Sequence, residues 1–207
     1  MRRQPDQTPS PSPETVKAGS RPNPAADTAA LAAVIAKLGP DFYASIAEAA
    51  EVLTTAFAHG GKALICGNGG SAAEAQHFSD ELLGRYRANR PGYPVIALTA
   101  DSAALTCIGN DFGFTEIFAR QVQAYGNHGD VLLTLSTSGN SPNILRAVEV
   151  AKERGLTVIA LTGPRGTLRE RADISIDAPS AVTARIQEIH LHAIHLLSEY
   201  FEPPRAH

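Results

Sequence analysis

His77 and Glu81 lie four residues apart in "LICGNGGSAAEAQHFSDELLGR", residues 64 to 85, directly behind a glycine-rich turn. Partners at i and i+4 are neighbours on one helical face. An imidazole beside a carboxylate can ligate a metal ion or move a proton. Alone, such a pair reads as structural; its position two turns from a ligand-type loop weakens that reading. A second group stands in "RIQEIHLHAIH", a histidine-dense stretch otherwise patterned as core. Periodicity selects Glu188, His192 and His195 as its tightest stripe, with Gln187 and His195 as a looser one. Spacing alone leaves both open.

Two loops could present a ligand to these groups. "GNGGSA" places Gly67, Gly69 and Ala72 in the G-x-G-x-x-A pattern of a dinucleotide turn, but that fingerprint also needs an acid about 20 residues on, at the end of the next strand. Here the next strand ends near Leu98, and Asp101 comes too late. No G-K-[ST] ends either loop and no G-x-S-x-G elbow occurs, which excludes a P-loop and a serine-hydrolase nucleophile. What remains is a turn that holds a small ligand near Ser71 and a helix start. The second loop, "STSGNSPN" at residues 136 to 143, sets Ser136, Thr137, Ser138 and Ser141 around Gly139. Ser141 and Pro142 suit the N-cap and first position of a helix. Hydroxyl donors, a glycine and the positive end of a helix make an anion cradle that uses no lysine.

The elements that must position these groups alternate along the chain. Ala-rich helical patterns cover residues 27 to 38 and, after the breaker Gly39-Pro40, 41 to 61. "KALIC", "PVIAL", "DVLLTL", "TVIAL" and "DISID" read as five buried strands between helical stretches. That order predicts an α/β fold: a five-stranded parallel sheet flanked by helices, preceded by N-terminal helices. Ligands in such sheets bind outside the carboxyl ends of the strands, where both loops fall. Residues 1 to 25, rich in Pro, Ser and charge, are expected to be a disordered tail, and residues 26 to 207 one domain.

Composition narrows the partners. The 207 residues are 43% hydrophobic and carry a net charge of −3 with no long basic run, which argues against a nucleic-acid surface and for a small-molecule site. "LLGRYRANRPGYP" is read as a helix end leading into the second strand. Only Cys66 and Cys107 are present, no run is apolar enough to span a membrane, and no signal-peptide pattern opens the sequence, so a cytoplasmic location is expected. His128 is expected in a solvated turn, and His190 and His192 at an interface or the surface.

"CGNGGSAAEAQHF", "RPGYPVIAL", "GNDFGF", "GDVLLTLSTSGNSPN" and "RIQEIHLHAIH" occur in this order. Together they resemble the sedoheptulose 7-phosphate (phosphoheptose) isomerases of the sugar-isomerase, or SIS, domain superfamily, from about residue 40 onward. Any one motif marks the superfamily; all five mark this branch. The resemblance implies a flavodoxin-like sheet and conversion of D-sedoheptulose 7-phosphate to D-glycero-D-manno-heptose 7-phosphate through an enediolate. It implies one Zn²⁺ per subunit on His77, Glu81, Gln187 and His195, thereby favouring the looser stripe, with Glu81 as base and His195 as acid. Ser71, Ser136, Thr137, Ser138 and Ser141 would bind the phosphate. Asn68, Gly69, Gly70, Arg85, Asn110, Asp111 and Gln187 would complete the substrate contacts. A homotetramer with sites between subunits is implied, with neither nucleic acid nor membrane as partner. A related branch is a tetrameric scaffold for the replication initiator DnaA; retention of the full ligand set speaks for the enzyme. Members often carry Asp where this chain has Val182, which bears on substrate preference and which Thr183 could offset in part.

Overall fold

A computed structural model of the chain describes residues 22 to 204. The chain enters through helix α1 (Pro24–Ile35), where Asn23 accepts the Ala26 N–H at 3.2 Å and Pro24 takes the first turn. The helix thus begins two residues before the expected domain start at 26; residues 1 to 21 of that proposed tail lie outside the described residues. Helix α2 (Pro40–Ala58) follows the Gly39-Pro40 break and buries Phe42, Ile46, Ala49, Leu53 and Ala56, a helical repeat aimed at one core.

The strands are β1 (Ala63–Gly67), β2 (Val95–Ala97), β3 (Val131–Ser136), β4 (Thr157–Thr162) and β5 (Ile174–Asp177). All pair in parallel in the order β2-β1-β3-β4-β5. Every residue of β1 and β3 is buried, as continuous apolar runs covered on both faces require. The order reverses at the β1/β3 junction, the switch point where open α/β sheets place ligands.

Helices α3 (Gly70–Leu83), α4 (Ser102–Phe112), α6 (Pro142–Glu153) and α8 (Thr183–Glu199) occupy the helical stretches expected from the sequence. A 3-10 turn (Phe114–Glu116), α5 (Ala119–Tyr125) and α7 (Leu168–Arg171) were not anticipated; pieces of one or two turns are too short for a helical period to show.

Alternate strand residues feed two cores. Ile65, Leu133 and Ile159 pack with α2, α3 and α8 on one face, while Leu64, Leu132 and Val158 pack with α5, α6 and α7 on the other. Consequently α3 and α8 share a layer and touch along a seam, with Phe78 and Leu82 of α3 and Ile194 and Leu197 of α8 anchored beneath it. Each such side chain contributes about 1.5 to 3 kcal/mol by leaving water. Among the described residues, no single helix is long and apolar enough to cross a membrane.

Candidate active site

The seam between α3 and α8 brings together residues more than a hundred positions apart. His77 Nε2 lies 3.0 Å from His195 Nε2 and 3.3 Å from Glu81 Oε1. Ligand atoms of these three residues all fall within 4.8 Å of one another. His77 is half-buried and Glu81 more deeply so, which leaves the group open to a small molecule on one side. The Tyr86 ring stacks on His195 with centroids 5.9 Å apart.

The C-terminal end of α3 is held by Arg90. Its guanidinium donates to the carbonyls of Glu81 at 2.8 Å and Leu82 at 2.9 Å, which satisfies carbonyls that a helix end leaves without partners. Arg90 is fixed in turn by Glu202 Oε1 at 3.0 Å, and both side chains are buried. The backbone that carries Glu81 is therefore tied to the segment following α8. The sequence had suggested only a helix end in this arginine-rich stretch.

On α8, His195, which both periodic stripes share, is the residue that reaches His77. Glu188 pairs with Arg185 at 2.8 Å, His192 is half-buried with no contact to His77, and only His195 joins the group. Gln187 lies at the opening of α3, where its amide occupies the space that a Cβ at Gly70 would fill. Any larger residue at position 70 would push Gln187 away.

The second loop closes over the carboxyl end of β3. Ser136 Oγ accepts the Gly139 N–H at 3.2 Å and lies 3.4 Å from Ser141 Oγ, and Ser138 Oγ accepts from Asn140 N at 3.2 Å. Ser141 holds the N-cap position of α6, but its hydroxyl makes no capping bond. It turns towards Ser136 instead. Asn68, after β1, and Asn143, in the first turn of α6, exchange side-chain hydrogen bonds of 2.9 and 2.8 Å, joining the two loops across the switch point. Ser71 is buried in the first turn of α3.

A SIS domain model matches residues 28 to 163. The chain is 52% identical over 164 residues to the phosphoheptose isomerase of Escherichia fergusonii, spanning 78% of this chain and 85% of that protein. It is 53% identical over 155 residues to that of Sodalis glossinidius, spanning 74% and 79%. The chain belongs to the phosphoheptose isomerase family. The solved structure of phosphoheptose isomerase GmhA from Neisseria gonorrhoeae superimposes with a TM-score of 0.80 at 42% identity, over 84% of this chain and 94% of that one. The Francisella tularensis phosphoheptose isomerase gives 0.78 at 42% identity, over 84% and 92%.

In this phosphoheptose isomerase fold, some expected substrate residues stand apart. Arg85 is exposed beyond α3. Asn110 and Asp111 are exposed on α4, a helix with no buried residue, and their hydrogen bonds are local: Asn110 Nδ2 donates to Asp111 Oδ1 at 2.7 Å and Cys107 Sγ to Asp111 Oδ2 at 3.7 Å. None of the three is bonded to the seam group. Val182 is the N-cap of α8, 59% exposed, and provides no side-chain cap.

Two features of this isomerase-family chain escaped the sequence reading. His190 is 1% exposed, inside the seam rather than at a surface, with Nδ1 3.9 Å from Glu74 Oε2. Burial pushes His190 down to about 4 and Glu74 up to about 7. Helical spacing shows which residues share a face, not how deeply α3 covers it. Arg165, in the loop after β4, lines a cavity of about 310 Å³ together with Thr137 and Ser138. The rule that directed attention to the loops after β1 and β3 applies equally to this third strand end.

Proposed function

We propose that the chain converts D-sedoheptulose 7-phosphate to D-glycero-D-manno-heptose 7-phosphate, in heptose biosynthesis, at the α3–α8 seam. The convergence of His195 with His77 and Glu81, the latter two on a helix that opens at the glycine turn bonded through Asn68 to the serine loop's Asn143, carries this reading. The relatives named above are isomerases, and the alternative of a scaffold for DnaA finds no support among them.

Moving the carbonyl from C2 to C1 needs a base to take a proton from C1, and an acid to protonate O2 as the enediolate forms. Glu81 takes the C1 proton and returns it to C2. His195 gives a proton to O2 and accepts one from O1, so the reaction consumes no net acid or base. Ser71, Ser136, Thr137, Ser138 and Ser141 hold the phosphate, helped by Asn68, Gly69 and Gly70 at the opening of α3, whose free N–H groups favour an anion. Two imidazole nitrogens and a carboxylate within 4.8 Å are a donor set that suits Zn²⁺. His77, Glu81 and His195 would hold it, and Gln187, on the same helix as His195, is the fourth ligand that the family resemblance adds. When bound, the ion polarises substrate oxygens as a Lewis acid.

A homotetramer with sites between subunits accounts for the residues that stand apart. Helix α4 presents Asn110 and Asp111 with nothing of its own buried, and Phe114 beside it is 65% exposed. Such apolar area marks a contact surface. A partner subunit seated there, meeting a sugar phosphate also touched by Arg85, would bring these groups to the substrate. A cytoplasmic setting fits two free cysteines.

The reading is tested by NMR of sedoheptulose 7-phosphate in D₂O. Glu81→Gln and His195→Asn should each slow isomerisation and solvent exchange at C1 and C2 by about two to four orders of magnitude, and His195→Asn should also lower bound metal. Wild-type protein that neither isomerises nor exchanges this substrate, with or without added Zn²⁺, would overturn it.

A further inference from the structure

Three strand ends meet around the cavity that contains Thr137 and Ser138. Asn140 comes from the loop after β3, Arg165 from the loop after β4, Ser180 from the turn into α8 and Thr183 from the first residue of that helix. Arg165 is its only charged lining residue. Among the described residues the Arg165 side chain has no hydrogen bond or ion pair, whereas Arg169, Arg171 and Arg185, on neighbouring elements, are each paired with a carboxylate. A cation left without a counter-ion on the wall of a hydroxyl-rich cavity has one chemical complement, an anionic group.

The loop that carries Arg165 is locked to the serine loop through its backbone. Leu168 N donates to Gly139 O at 2.9 Å and Thr167 N to Asn140 Oδ1 at 3.0 Å. Gly139, at φ +63, and Gly166, at φ +101, pack back to back, and a Cβ on either would strike the opposite loop. The Arg165 carbonyl lies against Gly139. The base of the arginine is thereby fixed relative to Ser138 while its tip remains free to close on a ligand.

We infer that Arg165 is a substrate-binding residue that places a positive charge on the phosphate of the sugar phosphate, beside the hydroxyls of Thr137 and Ser138. This rests on the function proposed above and assigns to the phosphate site a cation that its serine loop lacks. Guanidinium geometry allows two parallel N–H donors to reach one phosphate, and an exposed arm gives this contact the salt sensitivity of a surface charge.

The test compares wild type with Arg165→Gln and Arg165→Lys in the metal-loaded enzyme. Steady-state kinetics are run on sedoheptulose 7-phosphate, and calorimetry measures inorganic phosphate binding, which needs no turnover. Arg165→Gln should raise both KM and the phosphate Kd about tenfold, the low end for a charge-assisted hydrogen bond, and leave kcat within about twofold, as loss of uniform binding predicts. Arg165→Lys should recover part of the loss, because it restores the charge without the second parallel donor, and added NaCl should narrow the gap between wild type and Arg165→Gln. Unchanged KM and phosphate affinity in Arg165→Gln, while Ser138→Ala with Ser141→Ala loses both, would overturn the role of Arg165 and spare the isomerase. Wild type that binds phosphate through Arg165 without isomerising the sugar would do the reverse.

Discussion

Glu74 Oε2 and His190 Nδ1 face each other 3.9 Å apart inside the α3–α8 seam, and neither atom has a hydrogen-bond partner among the described residues. Burial favours the neutral form of each, raising the acid from 4.5 to about 7 and lowering the imidazole from 6.5 to about 4. The native pair therefore keeps its proton on Glu74, while the unfolded chain at mildly acidic pH keeps it on His190.

The signs follow from proton counts. A raised carboxyl stabilises the fold fully below its unfolded value of 4.5 and loses that contribution as pH rises through about 7. A lowered imidazole stabilises fully above 6.5 and loses its contribution as pH falls through about 4. Between 4.5 and 6.5 each state binds one proton, so the pair adds no slope. Urea denaturation of wild type should show no contribution from this pair across that window. Glu74→Gln should uncover the imidazole, with stability dropping as pH falls from 6.5 to 4 at up to about 1.4 kcal/mol per pH unit. His190→Gln should uncover the carboxyl and tilt the curve the other way, losing stability as pH rises from 4.5 to 7. Parallel curves for wild type and both variants would show that the two groups are solvated.

Val182 leaves the N-terminus of α8 without a side-chain cap. Its extended backbone, φ −94 and ψ 119, suits a capping residue. Val182→Asp should accept an N–H of the first turn and add about 1 kcal/mol of stability, read as a higher denaturant midpoint with an unchanged m-value. The same carboxylate would stand at the mouth of the Arg165 cavity, beside Thr183, so KM for the sugar phosphate should change in the same variant. A midpoint equal to that of wild type would mean that the cap is not formed.

The serine loop invites a double substitution. Ser138→Ala with Ser141→Ala removes two hydroxyls near the free end of α6 and leaves the strand beneath untouched. Each lost charge-assisted bond costs about 1.5 to 3 kcal/mol, so KM should rise at least tenfold with the melting curve preserved. An unaltered KM would remove this loop from the substrate site.

The strands were legible because β1, β3 and β4 are apolar runs buried on both faces, bounded by Gly, Asp or Thr; each begins and ends within about a residue of the run that marks it. Helix α5 left no such mark, since Gln121, buried and bonded to Leu98 O and Ile117 O, looks polar in sequence. The His77–Glu81 pair could be read from spacing alone. The choice between Glu188 with His192 and Gln187 as the companions of His195 could not, because it depends on which side of α8 faces α3, a tertiary fact that helical periodicity leaves ambiguous. Arg165 was passed over for a related reason. Its significance lies in having no partner, and that becomes visible only when the carboxylates that pair with its neighbours are in place.

The Arg90–Glu202 contact bridges 112 residues, and the His77–His195 contact bridges 118. A ribosome adding about 5 to 20 residues per second needs roughly 6 to 24 seconds to cross such an interval. During that time the helix bearing Glu81 exists without the imidazole it faces and without the clamp on its last turn. The nascent chain can bury the first strands of its sheet, yet it cannot bring His77, Glu81 and His195 together until α8 has been made. The His77–Glu81–His195 group is thus completed late in synthesis, after all five strands have been made.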